Sequence, residues 1–163
     1  LGGLGILEIK PEHAFLKFEQ NHYQTERKEA MDSSEVAKLH DDYIAAWRRD
    51  DSDAAMAFWS DDIVMRALGS NPHSGGYHGQ AEVRRNLIDR IYAETTEAEV
   101  LGLIDRGIGN DHVFTIVHER FKKADGRVFE TNRIVIYRWL NQKIVEVIYF
   151  DPDQAAANDF WSD

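Results

Sequence analysis

DHVFTIVHERFKKADGRVFETNRIVIYRWLNQKIVEVIYFD, residues Asp111 to Asp151, decides the fold. Three runs within it, His112–Lys122, Val128–Leu140 and Lys143–Phe150, are dense in Val, Ile, Thr, Phe and Tyr. Such side chains suit pleated, half-buried strands. Asp125-Gly126 and Asn141-Gln142 separate the runs. Asp-Gly is a strong hairpin signal, because a type I′ turn needs positive φ at both central residues. Gln is poorer chemistry for the second turn's left-handed position. The stretch therefore predicts a three-stranded antiparallel sheet.

Two-residue turns would fix the register, and the register fixes the faces. His118 then falls opposite Arg133, and Arg133 opposite Phe150. Ile116, Val135 and Ile148 form the next row, then Phe114, Tyr137 and Glu146. The other face carries Val117, Ile134 and Tyr149; Thr115, Ile136 and Val147; Val113, Arg138 and Val145; and Glu119, Asn132 and Asp151 at one end. Neither face is uniformly polar. One should cover a core or pocket, and the other a partner subunit.

Working outward, 163 residues fit one domain with a real core. A net charge of −10 argues against a nucleic-acid or anionic-membrane surface. The basic pairs Arg48-Arg49, Arg84-Arg85 and Lys122-Lys123 sit among acids. Absence of cysteine excludes a disulfide frame, a thiol nucleophile and a thiolate metal site. No apolar run approaches membrane-spanning length. The start, Leu1-Gly-Gly-Leu-Gly-Ile-Leu, lacks the basic region of a signal peptide, so a cytoplasmic location is expected.

Residues 1–30 read as an appendage to a domain over 31–163. They are either an N-terminal helix or translated leader ahead of a start at Met31, and both readings stay open. Asp32 and Glu35 have the spacing of a capping box. Val36, Leu39, Tyr43, Ala46 and Trp47 follow at helical spacing to about Arg49. A short second helix spans Ala54 to Trp59, a strand Ile63–Leu68, and a loop Gly69 to Gly79. A third helix runs from Gln80 to about Ala93, with a strand over Glu97–Gly107. The tail ending in Phe160-Trp161 either docks by its aromatics or stays loose. Helices followed by a mostly antiparallel sheet make an α+β plan.

Four pieces in one order carry a family resemblance: Tyr43-Ile-Ala-Ala-Trp-Arg-Arg-Asp-Asp-Ser-Asp-Ala-Ala, Phe58-Trp-Ser-Asp-Asp-Ile-Val, Tyr77-His-Gly-Gln-Ala-Glu-Val, and Lys143-Ile-Val-Glu-Val-Ile-Tyr-Phe-Asp. The sequence resembles the SnoaL-like and ketosteroid-isomerase-like branch of the nuclear transport factor two superfamily over roughly Ser33 to Asp151. That resemblance implies a cystatin-like α+β roll: a cone-shaped, curved, mainly antiparallel sheet wrapped on three helices. It also implies a deep apolar pocket and a homodimer. The fold hosts isomerases, dehydratases, cyclases, epoxide hydrolases and binding modules, so it does not name a reaction.

Carried over residue by residue, the resemblance matches Tyr43 to the Tyr that hydrogen-bonds the enolate in a ketosteroid isomerase. The base of that enzyme falls on Ala67, and its protonated Asp on Val135. The Asp-Arg-Asp triad of a limonene epoxide hydrolase falls on His118, Ile116 and Ile148. Neither set of acids is present. Both alignments put the His118 face in the pocket, although the Val117 face is the more aliphatic, and the latter is assigned to a subunit interface.

His118 is the sharpest catalytic candidate, because a neutral imidazole beside Arg133 suits general acid–base work. Tyr43 and Arg133 would stabilise developing negative charge, with a structural role as the alternative for each. Trp47, Trp59, Ala67, Val135, Tyr137, Ile148 and Phe150 would line the pocket, and Asp151 could reach it through a bulge. His73 and His78 sit in a loop. No His-x-His or His-Glu-x-x-His spacing occurs, so no metal and no cofactor is expected. Two functions follow. One is a cofactor-independent lyase, isomerase or hydrolase acting on a small apolar oxygenated molecule. The other is a non-catalytic ligand-binding or protein-interaction module.

Overall fold

The computed structural model describes residues 31–162, and the expected appendage over 1–30 lies outside them. Helix α1 spans Ser33–Arg48 and buries Val36, His40, Tyr43, Ile44 and Ala46 on one stripe. Asp32 caps it by accepting from Ser34 N at 2.8 Å. Glu35 does not close a capping box; it accepts from Gln142 Nε2 at 2.7 Å instead. After Asp50 at φ 58, Asp51 caps a short α2, Ser52–Met56, by accepting from Ala54 N.

Strand β1, Trp59–Leu68, starts earlier than its sequence suggests and turns Trp59, Ile63, Met65 and Ala67 inward. The expected loop contains a strand, β2 (Gly75–His78), paired antiparallel with β1. Gly79 then swings the chain into the next helix at φ 79, its amide donating to Ile63 O at 2.7 Å. A Cβ there would meet Asp61 O at 3.3 Å. That helix, α3, consists of Gln80–Val83, a π-helical stretch Arg84–Ile88, and Asp89–Glu94. The wider π turn lets adjacent Leu87 and Ile88 both reach the interior cavity.

Strands β3 (Glu97–Ile108), β4 (His112–Lys122), β5 (Val128–Leu140) and β6 (Lys143–Phe150) complete a six-stranded sheet in the order β2-β1-β6-β5-β4-β3. Its pairings are antiparallel except for β1 with β6. Register shifts at Val100/Gly102 and Leu103/Asp105 interrupt the β3–β4 ladder. Bulges of this kind bend strands, and they help this sheet to curve around the helices. The α+β class and the curved, mainly antiparallel sheet are as the sequence leads one to expect.

The register differs from that expectation in two places. The β4–β5 connection is a three-residue loop, Ala124-Asp125-Gly126. Lys123 N donates to Arg127 O at 2.9 Å and Gly126 N to Lys123 O at 3.0 Å. Gly126 alone takes positive φ, at 92, and the Asp125 side chain holds Arg127 N at 2.9 Å. This is the turn-plus-bulge alternative to a two-residue hairpin. It moves every β4 partner by one, so that Val117 faces Arg133 and His118 faces Asn132.

The β5–β6 turn is the expected pair, Asn141 and Gln142, both at positive φ. A bulge between Arg138 and Trp139 then shifts the rest of β6, placing Val135 opposite Tyr149 and Tyr137 opposite Val147. The inner face is thus Val113, Thr115, Val117 and Glu119 of β4; Arg133, Val135, Tyr137 and Trp139 of β5; and Ile144, Val147 and Tyr149 of β6. His118, Ile148 and Phe150, expected inside, take the alternate outward positions. Val113, Val117 and Val147, expected at an interface, are core.

The tail folds as helix α4, Gln154–Trp161, capped by Asp153. Its Ala157, Phe160 and Trp161 form a second apolar cluster with Phe121 and Phe129. Each large side chain buried this way contributes roughly 2 kcal/mol. Among the described residues, no helix is long and apolar enough to cross a membrane.

Candidate active site

The concave face of the sheet, α1 and α3 enclose a cavity of about 130 Å³. Helix α1 supplies Tyr43, Ile44 and Trp47, α3 supplies Leu87, Ile88, Ile91 and Tyr92, and β1 supplies Trp59 and Met65. The sheet adds Val117, Phe121, Val135, Tyr137, Val147 and Tyr149 around two charged groups, Glu119 and Arg133. The walls follow from pattern: each strand donates alternate residues, and α1 the stripe that begins at Val36.

Arg133 is the centre of the polar part. Its Nε donates to Asp151 Oδ1 at 3.1 Å and its NH2 to Asp151 Oδ2 at 3.2 Å, a two-pronged pair buried on both sides. Its NH1 stands 2.9 Å from Glu119 Oε2. That oxygen is buried and accepts no well-directed hydrogen bond, so it has a charge beside it and a lone pair to spare. The guanidinium also stacks 4.7 Å from the Tyr149 ring and 5.3 Å from Phe121.

Burial raises the Glu119 carboxyl above the usual range; Arg133 opposes the rise and Asp151 adds to it. The doubly paired guanidinium of Arg133 stays charged, its pKa raised despite burial. Burial pushes the Tyr43 phenol up to about 12, and it raises Tyr137 and Tyr149 as well. All three phenols keep their protons at neutral pH and so can donate to a ligand. The Trp59 indole Nε1 is buried without a partner, a further donor left open.

This arrangement can exchange a proton at Glu119 and meet an oxygen at Tyr43. A family model of the SnoaL-like domain matches residues 40–147, most of the described fold. The chain belongs to the SnoaL-like domain family. Structurally it is similar to Bal32a from a soil-derived mobile gene cassette, with TM-score 0.72 and 15% identity, covering 80% of this chain and 98% of that one. A cystatin-like-fold protein from Xanthomonas campestris superposes with TM-score 0.71 at 21% identity, over 78% and 98% of the two chains. TerC, crystallised with polyporic acid, gives 0.68 at 10% identity over 78% and 99%. No curated protein matches the chain in sequence.

Within this SnoaL-like domain, Tyr43, Trp47, Trp59, Arg133, Val135 and Tyr137 line the cavity. Ala67 and Asp151 line a much smaller crevice of about 10 Å³ that shares Arg133 and Tyr149 with the cavity. His118 does not join them. It sits at the sheet surface, its Nε2 3.4 Å from Glu130, because the longer β4–β5 loop turns it out. Arg133 pairs with Glu119 and Asp151.

Glu119 and Tyr149 are the polar side chains of the cavity that the turn-based register misses. The aliphatic run Val113, Thr115, Val117 was the available signal, since it leads straight to Glu119 on the same face. His73 is buried, its Nε2 2.8 Å from Glu94 and its ring 4.5 Å from Trp161, so it ties the β1–β2 loop to α3 and α4. His78 is exposed. Among the described residues, no group of three or more His, Cys, Asp or Glu side chains is gathered to hold a metal ion.

Proposed function

We propose that this SnoaL-like domain is a small-molecule enzyme of isomerase or cyclase type, with Glu119 as its proton-transfer group. The observation that carries the reading is Glu119 Oε2: buried on the cavity wall, without a hydrogen bond, and 2.9 Å from Arg133. A carboxyl whose pKa burial raises is a stronger base when ionised than a solvated one, which suits it to proton transfer. Ionised Glu119 takes a proton from carbon next to a carbonyl. The electron pair moves to the carbonyl oxygen, which accepts a hydrogen bond from Tyr43. Returning the proton to another carbon isomerises the molecule; attack by the carbanion on a second carbonyl instead closes a ring, the C=O π pair moving to that oxygen, which takes the proton back from Glu119. Asp151 fixes Arg133, which supports the ionised form of Glu119. The chemistry needs no group beyond these side chains, and the mainly apolar wall favours a small oxygenated molecule.

Proton–deuterium exchange tests this directly. Cyclic ketones and β-keto esters incubated with the protein in deuterated buffer should gain deuterium at the α-carbon, as read by proton NMR. Glu119→Gln should slow that exchange by about 10²–10⁴-fold. Exchange that survives the substitution would remove Glu119 from the mechanism. A cavity that holds its ligand without exchanging protons would fit the binding-module reading instead.

The same proposal includes a homodimer through the outer sheet face. Phe114, Ile116, Ile134, Ile136, Ile148 and Phe150 alternate outward there, with Phe114 half exposed. A contiguous apolar face of this kind marks an interaction site. Sedimentation should give twice the 18.8 kDa chain mass, and Ile136→Glu should give the single mass. We place the protein in the cytoplasm, on its cysteine-free sequence.

A further inference from the structure

The charges around the cavity do not balance. Asp151 takes two nitrogens of Arg133 in a two-pronged pair, which neutralises the guanidinium. Glu119 shares the third nitrogen only through an off-axis contact, so the trio carries one excess negative charge when both acids are ionised. The remaining charged side chain on the cavity wall is Glu99, also an acid. The cavity opens into a groove of about 500 Å³ through Trp47, Tyr92, Ala98, Glu99 and Val100, which line both. Along that groove stand Asp50, Glu97 and Glu99 against Arg48. Glu97 is paired with Lys122 at 2.7 Å, and Tyr92 hydroxyl donates to Asp50. Glu99 lies opposite Arg120 in the β3–β4 ladder, so the acids of the groove are partly matched, and the unmatched charge sits at Glu119 on the cavity wall.

The rings add a second, independent observation. Tyr149 and Phe121 already face the Arg133 guanidinium. Tyr43, Trp47 and Trp59 do not. Trp47 stands 6.2 Å from Tyr43 at 88° and 6.3 Å from Trp59 at 42°, so the three packed rings make one corner of the cavity wall. Electron-rich rings lining the same cavity as a carboxylate suit an organic cation, which is attracted to both. An anionic ligand would meet the opposite: two acids on the wall, and an arginine already occupied.

We infer that the ligand of this cavity carries a basic nitrogen, protonated when bound, with its ammonium head between Glu119 and the Tyr43–Trp47–Trp59 corner. Its apolar body lies against Val117, Val135 and Val147. The inference rests on the proposed function's reading of this cavity and adds a charge class to it. It leaves Arg133, held by Asp151 and Glu119, in the structural role that the sequence offers as its alternative. The acidic groove draws such a cation inward, and exposed Glu99 at the junction hands it to the buried acid.

Calorimetric titration with 3-phenylpropylamine, 3-phenylpropan-1-ol and 3-phenylpropionate tests it, since the three share one carbon skeleton and differ in charge. The amine should bind at least about tenfold tighter than the alcohol, and the carboxylate weakest. Glu119→Gln should bring the amine down to the level of the alcohol. Glu99→Gln, which alters an exposed side chain and so tests the idea without touching the core, should weaken the amine alone. Alcohol or carboxylate binding as tightly as the amine overturns the inference while leaving a small-molecule cavity in place. Failure of all three to bind also overturns it. The proposed reaction is judged separately, by deuterium exchange.

Discussion

Two buried polar groups against the inner face of the sheet, His40 of α1 under Tyr137 and Arg133 four residues or about 13 Å away along β5, are built on opposite terms. At one end His40 is fully buried beneath Tyr137, at 4.7 Å between ring centres, and beside Trp139 at 6.2 Å. Neither ring nitrogen of His40 has a partner, nor does the Trp139 indole nitrogen. At the other end Arg133, Glu119 and Asp151 hold one another in a chain of ion pairs. An unpaired neutral donor or acceptor costs about 1–3 kcal/mol, which a core of this size tolerates. An unpaired buried charge costs more. The first end stays buried by remaining neutral, as the lowered imidazole pKa requires. The second must keep its charges matched, and the mismatch it retains lies on the cavity wall.

Arg133 is the residue at which this contrast breaks most readily. Arg133→Met leaves Asp151 and Glu119 buried without a cation, and it should cost about 3–5 kcal/mol in urea unfolding. The deficit should shrink as pH falls, because protonation relieves both acids. A loss below about 1 kcal/mol would show that the trio is wetter than its burial implies.

At the other end the expected signature is a pH slope of opposite origin. Burial, then the nearby Arg106 charge, lowers the pKa of His40 from 6.5 to about 4. Between those values the unfolded chain binds a proton that the folded chain does not, so stability falls as pH falls. The loss attributable to His40 is about 3 kcal/mol, since each tenfold drop in proton affinity is worth about 1.4 kcal/mol. His40→Leu should flatten this slope and leave stability at pH 7 unchanged or improved, since it removes two unpartnered nitrogens. Parallel pH profiles for the two proteins would show that His40 is hydrated.

The two ends also differ in how far the sequence exposes them. Tyr43, Trp47, Arg133, Val135 and Tyr137 fall on the inner face because α1 periodicity and β5 alternation each hold within one unbroken element. Glu119 belongs to a neighbouring strand, and its face depends on one residue of loop length. Asp-Gly fits both a two-residue turn and a three-residue loop with Gly126 as its left-handed residue, and local chemistry does not choose between them. The choice is made by burial: Val113, Thr115 and Val117 are more apolar than Phe114, Ile116, His118 and Arg120 taken together, and they go inside. The bulge in β6 has no turn residue to announce it. It follows from seating Ile144 and Val147 in the same core, and it carries Tyr149 inward with them. Helix α4 shows itself only as two aromatics at the end of a polar tail.

The finest test separates the charge on Glu119 from its shape. Its folded pKa is raised above the ordinary value, chiefly by burial. Such a group contributes stability below its unfolded pKa, near 4.5, and that contribution is lost as pH rises through the folded value. Wild-type protein should therefore weaken above this range in a component that Glu119→Gln lacks, opposite in sign to the His40 effect. Gln keeps the side-chain outline and removes the uncompensated charge, so the variant should gain stability relative to wild type on going from pH 5 to pH 8. Paired urea melts at those two values decide the matter. If Glu119→Gln instead loses stability relative to wild type over that range, the Arg133 contact outweighs the desolvation of the carboxylate, Glu119 is a structural partner of the guanidinium, and the two ends of the sheet differ in pairing alone.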